Sequence, residues 1–182
     1  MQITIPAAIK SDFERWLNFL EHEVHFALKD SNDHTKDHCA RVLHFALRIA
    51  DQMGLAKEER EALALAACFH DSRRQDDWLD VGHGLRAADY YREFCYDHKR
   101  DFDVRVYLVM AFHDHDDALG EAALKGHSQG VLLYHIFKDA DALDRFRLGP
   151  FDLDINYLRT DAARALYDYA RALWADTWPI KF

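Results

Sequence analysis

What most constrains the fold of this chain is a helical period that recurs along its length. In segment 9–28, Phe13, Trp16, Leu17 and Leu20 fall at the i, i+3, i+4, i+7 spacing, with Val24 one turn on, so they line one face of an α-helix. A second stripe, Val42, Phe45, Ala46, Ile49 and Met53, follows the polar stretch 31–35, and Gly54 is placed to stop that helix. Residues 57–69 are rich in Ala and Leu and apolar nearly all round, which predicts a helix at the centre of a bundle. Further helices are expected over 83–96, 103–112, 130–146 and 160–174. Between them lie a polar loop over 72–82, an acidic turn at 113–117 and irregular chain around Gly149, Pro150 and Asn156. Strand signals are weak, and seven Gly and three Pro leave little material for the turns of a β-sandwich. The expected fold class is all-α, an irregular bundle of about six to eight helices.

A length of 182 residues fits one domain, long enough to bury most of its apolar surface without disulfides. No run approaches the roughly 20 apolar residues of a membrane span, and residues 1–10 lack the basic-then-apolar order of a secretory signal. Cys39, Cys68 and Cys95 form an odd set without a CxxC pair and read as reduced, partly buried thiols. Together these features make the cytoplasm the expected compartment. A net charge of -9 repels a nucleic-acid polymer over most of the surface. It does not exclude a small phosphorylated ligand, because a bound metal ion supplies the local positive centre that such a ligand needs.

The chemistry is concentrated in the histidines. Five of the twelve, His38, His70, His83, His113 and His115, sit at expected helix ends or beside acidic residues, in an order that can converge on one centre. Imidazole with carboxylate suits Mn, Fe, Co, Zn or Mg, and the lack of paired cysteines argues against a thiolate site. Neighbouring side chains on a helix diverge, so His70 and Asp71 can share a pocket only if the helix ends there, as it is expected to. A carboxylate in that position can also bridge two ions.

Three segments resemble motifs of the HD-domain superfamily. Asp37-His38-Cys39-Ala40-Arg41-Val42 is similar to its first motif, in which a histidine opens a helix ahead of an Arg-Val pair. Ala66-Ala67-Cys68-Phe69-His70-Asp71 looks like the motif that gives the superfamily its name, and Phe137-Lys138-Asp139-Ala140-Asp141-Ala142-Leu143-Asp144 resembles the last motif. The resemblance covers residues 30–148. It implies an HD-type helical domain over 1–182, with helices 9–28 and 160–174 packing on the motif-bearing part. It also implies His38, His70, Asp71 and Asp141 as metal ligands. Asp139 competes for the last place, and Asp141 is preferred because its spacing to Leu143 and Asp144 matches.

His83, in Gly82-His83-Gly84-Leu85-Arg86, and His113, in Ala111-Phe112-His113-Asp114, resemble the extra ligands of the dinuclear branch. The loop between Asp71 and His83 is shorter than in several dinuclear relatives, and a substrate-contacting or capping histidine is the other reading of His83. The implied cofactor is one or two divalent ions of Mn, Fe, Co, Ni, Zn or Mg. The implied activity is hydrolysis of a phosphoester or phosphoanhydride of a nucleotide or other small phosphorylated metabolite, through a metal-bound hydroxide. Asp71 and Arg74 are the expected catalytic residues, and Arg73, Arg74, His115 and Lys138 the expected substrate contacts, guanidinium being suited to a phosphate fork. For Arg73 and Arg74 the other reading is a salt bridge to Asp76, Asp77 or Asp80. Arg145 and Arg147 are expected near the rim, and Arg41 is expected to reach an acidic group behind the ligands. Alternatives to hydrolysis are a di-iron oxygenase of the same fold and a non-catalytic metal- or nucleotide-binding module. Expected partners are a small phosphorylated substrate and possible homodimerisation, with neither a nucleic-acid polymer nor a membrane.

Overall fold

A computed structural model describes residues 4–29 and 35–175. Among the described residues there are nine α-helices, two short 3-10 segments and no strand, so the chain is all-α. Helix α1 (Ala7–Glu23) buries Ile9, Phe13, Trp16, Phe19 and Leu20. It stops earlier than the stripe over 9–28 predicts, with Val24 extended (φ -93°, ψ 118°) and buried. The chain beyond Glu23 finds backbone partners in other elements. The His25 N–H donates to the Tyr90 hydroxyl at 3.3 Å, and the Ala27 N–H to the Ser72 carbonyl at 2.9 Å. The expected polar connection at 31–34, with His34, lies outside the described residues, and so does the start of the motif-bearing span.

Helix α2 (Lys36–Gln52) lies at the centre together with α3 (Lys57–Phe69), the helix that the sequence places there. It is buried without interruption from His38 to Leu47 and packs against α1, α3 and α7 (Gly130–Leu143). The apolar pattern understates this burial, because His38, Arg41 and His44 are polar and yet lie inside. Met53, expected on the buried stripe, caps α2 and is half-exposed, while Gly54 takes the left-handed turn (φ 66°) that ends the helix. In α3 the small residues Ala62, Ala64, Ala66 and Ala67 are buried, which lets the helix approach α2 closely.

Helices α4 (His83–Asp97) and α5 (Val104–Phe112) form an antiparallel-type pair, α5 being capped by Asp103, whose carboxylate accepts from the Arg105 N–H at 2.8 Å. Helix α6 (Asp117–Leu124) was not anticipated from its sequence, which contains a glycine. Gly120 is there because the ring of Tyr134 occupies the space a Cβ would need. Helix α7 gives way after Leu143 to a 3-10 turn, Asp144–Arg147, in place of the expected helix to 146, and in that tighter turn Asp144 and Arg147 both become buried. The single helix expected over 160–174 is two, α8 (Asp161–Arg164) and α9 (Tyr167–Ala175). The Leu166 N–H bonds three residues back to Ala163 at 2.9 Å, and the turn brings Tyr167 edge-on to Phe146 at 5.2 Å.

All three cysteines are free and buried. No helix among the described residues is long and apolar enough to cross a membrane.

Candidate metal centre

Five helix ends meet at one place. His38 lies in the first turn of α2, His70 caps the C-terminus of α3 and Asp71 follows it, His83 opens α4, His113 caps α5, and Asp141 lies near the end of α7. Helix α3 ends at Phe69, and the Ser72 N–H folds back to the Phe69 carbonyl at 2.9 Å. That turn lets His70 and Asp71 face the same pocket. His38, His70, Asp71, His83 and His113 are all buried, and Asp141 is partly open to solvent.

The side chains form two overlapping groups that could each hold a metal ion: His38, His70 and Asp71, and Asp71, His83 and His113. Asp71 belongs to both. Its Oδ2 lies 3.6 Å from His38 Nε2 and 3.9 Å from His70 Nε2, whereas Oδ1 lies 3.3 Å from His83 Nε2. Asp141 Oδ1 joins the first group 3.3 Å from His38 Nε2. Asp139, the competing aspartate, faces away. It is fully buried and accepts from the Thr160 N–H and hydroxyl, each at 2.8 Å, and from the Arg159 N–H at 2.8 Å.

Each of the four imidazoles has its Nδ1 against an acceptor. His38 Nδ1 meets Asp144 Oδ2 at 2.7 Å, His70 Nδ1 the Ala67 carbonyl at 3.0 Å, His83 Nδ1 the Asp80 carbonyl at 3.0 Å and His113 Nδ1 the Met110 carbonyl at 2.7 Å. A carbonyl only accepts, so Nδ1 carries the proton and the Nε2 lone pairs face inward. They face each other closely, at 3.2 Å between His38 and His70 and 2.9 Å between His83 and His113. Converging lone pairs repel unless a cation or a shared proton lies among them. Fixing of the outer nitrogen by carboxylate or carbonyl is how a protein orients imidazole ligands toward a metal. The donor set therefore fits a divalent ion, with imidazole and carboxylate donors and no thiolate.

The electrostatics divide the four rings, two shifted down and two shifted up. Burial lowers the His70 pKa to about 3, so its ring is neutral at physiological pH and able to donate a lone pair. Burial and then His83 lower that of His113. Burial and Arg147 oppose protonation of His38, but Asp141 and Asp144 outweigh them and raise its pKa. His83 is raised likewise, Asp71 outweighing burial. Although burial favours its neutral form, Asp141 is held well below the carboxylate range by His38, then His70 and His113.

Above the cluster opens a cavity of about 540 Å³ whose wall includes Asp71, His83, Asp141, Arg74, Arg145 and Arg147. Arg74 is buried there, but mostly engaged with the protein. Its Nη2 donates to the Trp78 carbonyl at 2.5 Å and its Nε to the Asp76 carbonyl at 3.3 Å. Its Nη1 lies 3.3 and 3.2 Å from the two ring nitrogens of His83, so the guanidinium spans the ring face, 3.7 Å from Asp71 Oδ1. Three expected substrate contacts do not line this cavity. Arg73 donates to the His25 carbonyl and stacks on Tyr90 at 3.2 Å, because α3's terminal turn points successive side chains in opposite directions. Lys138 is held by Asp117 at 2.8 Å and by the His115 carbonyl at 2.7 Å, on the side of α7 that faces α6. His115 is partly exposed, 3.6 Å from Asp114.

Four residues were not assigned site roles from the sequence. Asp144 accepts from Arg41 Nε at 2.6 Å as well as from His38, so Arg41 does reach an acidic group behind the ligands. Asp114 accepts from the Gly82 N–H at 3.0 Å, and Gly82 adopts φ 83° to open α4. The signal for Asp114 was its place beside His113. Trp78 and Leu79 line the cavity mouth, and two apolar residues in a polar loop were the signal for them.

No protein-family model matches the chain, and no curated protein or solved structure is found similar to it.

Proposed function

We propose that this protein is a metal-dependent phosphohydrolase of the HD-domain type, acting on a phosphoester or phosphoanhydride of a small phosphorylated metabolite. The observation that carries the proposal is Asp71, whose two carboxylate oxygens are divided between two histidine pairs, each presenting inward lone pairs. That division suits a dinuclear centre, in which His38, His70, Asp71 and Asp141 would hold one ion and Asp71, His83 and His113 the other. Bound there, divalent ions supply a water-derived nucleophile at neutral pH and neutralise charge on the phosphoryl group.

The remaining work falls to the chain. Asp144 and the three carbonyls keep the imidazole protons off the inner nitrogens. Arg74 fixes His83 and the loop carbonyls of Asp76 and Trp78, which makes it a positioning residue as well as a cationic neighbour of Asp71. Arg145 and Arg147, expected near the rim and lining the cavity, would receive phosphate oxygens, whereas Arg73 and Lys138 do not line it.

Elemental analysis of protein purified without added metal, followed by phosphate-release assays on phosphorylated metabolites with Mn, Fe, Co, Ni or Mg, tests the proposal. His70→Ala and Asp71→Ala should each lose bound metal and lower turnover at least ~100-fold, with helical circular dichroism retained. Retained metal with full turnover in either variant would refute the site. Iron-dependent oxygen consumption without phosphate release would replace hydrolysis by oxygenation on the same ligands.

A further inference from the structure

A second cavity, of about 370 Å³, shares no lining residue with the one above the metal cluster. It opens where α1, α3 and the C-terminal end of α4 meet. Its floor is apolar: Trp16, Tyr91, Phe94 and Cys95 are buried and Leu65 is partly buried. Burial pushes the Tyr91 hydroxyl and the Cys95 thiol above their ordinary pKa values, so both stay neutral. The rim is charged. Arg15 stacks on Trp16 at 4.8 Å and is tied to Glu61 at 3.2 Å, which closes one side. Another part of the rim is the turn that ends α4, where the Arg100 N–H donates to the Cys95 carbonyl at 2.9 Å and Lys99 takes φ 51°. Glycine adopts such a φ without strain, yet here the position carries a lysine that lines the cavity. The Arg100 guanidinium lies over aromatic rings, 5.1 Å from the centre of Phe19 and 5.7 Å from that of Phe94. Among the described residues neither Lys99 nor Arg100 pairs with a carboxylate, and no side-chain N–H of Arg100 meets a protein acceptor.

The lining sets three cations, Arg15, Lys99 and Arg100, against two carboxylates, Glu61 and Asp101, a positive surplus on a chain whose net charge is -9. Cations after a helix C-terminus also favour the helix dipole, but that interaction needs neither an apolar hollow beside them nor an arginine whose N–H edges are open. The complement to these groups is a molecule with an apolar ring for the floor and a single negative charge for the rim. A guanidinium takes a carboxylate in a two-pronged bond, whereas a dianionic phosphate would meet repulsion from Glu61 and Asp101. The volume falls within the range of small-molecule sites. We infer that this cavity is a second ligand site, for a small carboxylate carrying an apolar ring, and that Arg100 receives the carboxylate. The site stands toward the opposite ends of the helices that deliver His70 and His83, roughly 14 Å along α3 from Glu61 and roughly 18 Å along α4 from Cys95, which is a place for an effector and not for a substrate of the metal cluster. The inference does not rest on the phosphohydrolase reading.

Calorimetric titration with benzoate, indole-3-acetate and cyclohexanecarboxylate, on the metal-bound protein and again after chelator treatment, tests it. At least one of these acids should bind with the same affinity in both forms, and about 10-fold more tightly than its uncharged carboxamide. In the chelated form phenyl phosphate should bind more weakly than that acid. Arg100→Gln should weaken the acid by roughly 10- to 150-fold, the range for a hydrogen bond to a charged group, and Arg100→Lys should restore part of the loss. Lys99→Gly relieves the left-handed turn instead of straining it, so a loss there reports the missing charge and not a disturbed fold; we expect about 2- to 5-fold. Helical circular dichroism checks each variant. Binding by none of the acids, equal affinity for acid and carboxamide, or unchanged affinity in Arg100→Gln overturns the inference. So does binding that requires metal, since the acid would then be seated on the histidine cluster.

Discussion

His38 shows how a single side chain is made into a ligand. A histidine in the first turn of a helix would ordinarily be solvated, but here its Nδ1 meets Asp144 at 2.7 Å while Nε2 points at Asp71 and Asp141. Asp144 is itself balanced by Arg41, at 2.6 and 3.1 Å, and held below the carboxylate range despite burial, so it remains an acceptor at any physiological pH. Replacing it tests orientation without touching a proposed ligand. Asp144→Asn should weaken metal binding by about 10- to 100-fold in a chelator competition, with helical content preserved. Unchanged affinity would mean that the His38 ring is set by packing alone. Most of these residues were legible in the chain, because histidine and aspartate at helix ends are uncommon unless something uses them. Arg73 and Lys138 were misplaced for one reason: a sequence gives proximity along the backbone but not the direction of a side chain, and both point to neighbouring elements instead of the cavity.

Among elements, the contact between α4 and α5 decides whether the second histidine pair forms. His83 and His113 sit at facing helix ends with Nε2 atoms 2.9 Å apart, and this approach is possible because Gly84 follows His83. A Cβ at that position would lie 2.8 Å from His113 Nδ1 and 2.9 Å from Asp114 Oδ1, and closer still to the Met110 carbonyl. Gly84→Ala gains helix propensity of about 1 kcal/mol. That gain is outweighed, because backbone and imidazole must shift to admit the methyl group. We expect a net destabilisation of about 1–2 kcal/mol, seen as a lower Tm, together with loss of one metal equivalent before the other. A variant as stable as the wild type with full metal content would show that the two helix ends have slack. At this scale the sequence was informative where the apolar stripe was uninterrupted, as in α3. It failed where tertiary partners overrode the stripe, cutting α1 at Glu23 and dividing the C-terminal helix at Leu166.

Across the molecule, charged ties connect elements far apart in the chain. Asp117 on α6 receives a two-pronged bond from Arg159, at 2.7 and 2.8 Å, and a third from Lys138 on α7 at 2.8 Å. Arg159 first, against partial burial and with help from Lys138, holds the Asp117 pKa down to about 2. A depressed carboxylate pKa means that the unfolded chain takes up the proton first as pH falls. The stabilisation is therefore complete above the unfolded value of about 4 and is lost as pH drops through about 2. Asp117→Asn should lower Tm at pH 7 by a few degrees, and the gap to the wild type should narrow steadily between pH 4 and pH 2. A gap independent of pH would assign the loss to packing and not to charge.

The chain by itself determined that helices form, roughly where most of them run, and that histidine and aspartate gather at their ends. These are local properties, set by spacing along the backbone and by the chemistry of each residue. How deeply the polar residues of α2 are buried, where the Arg73 and Lys138 side chains turn, and where α1 and the C-terminal helix stop were decided only by the tertiary structure. Each of those depends on the angle at which one helix meets another, and that angle arises from the packing of side chains distant in sequence.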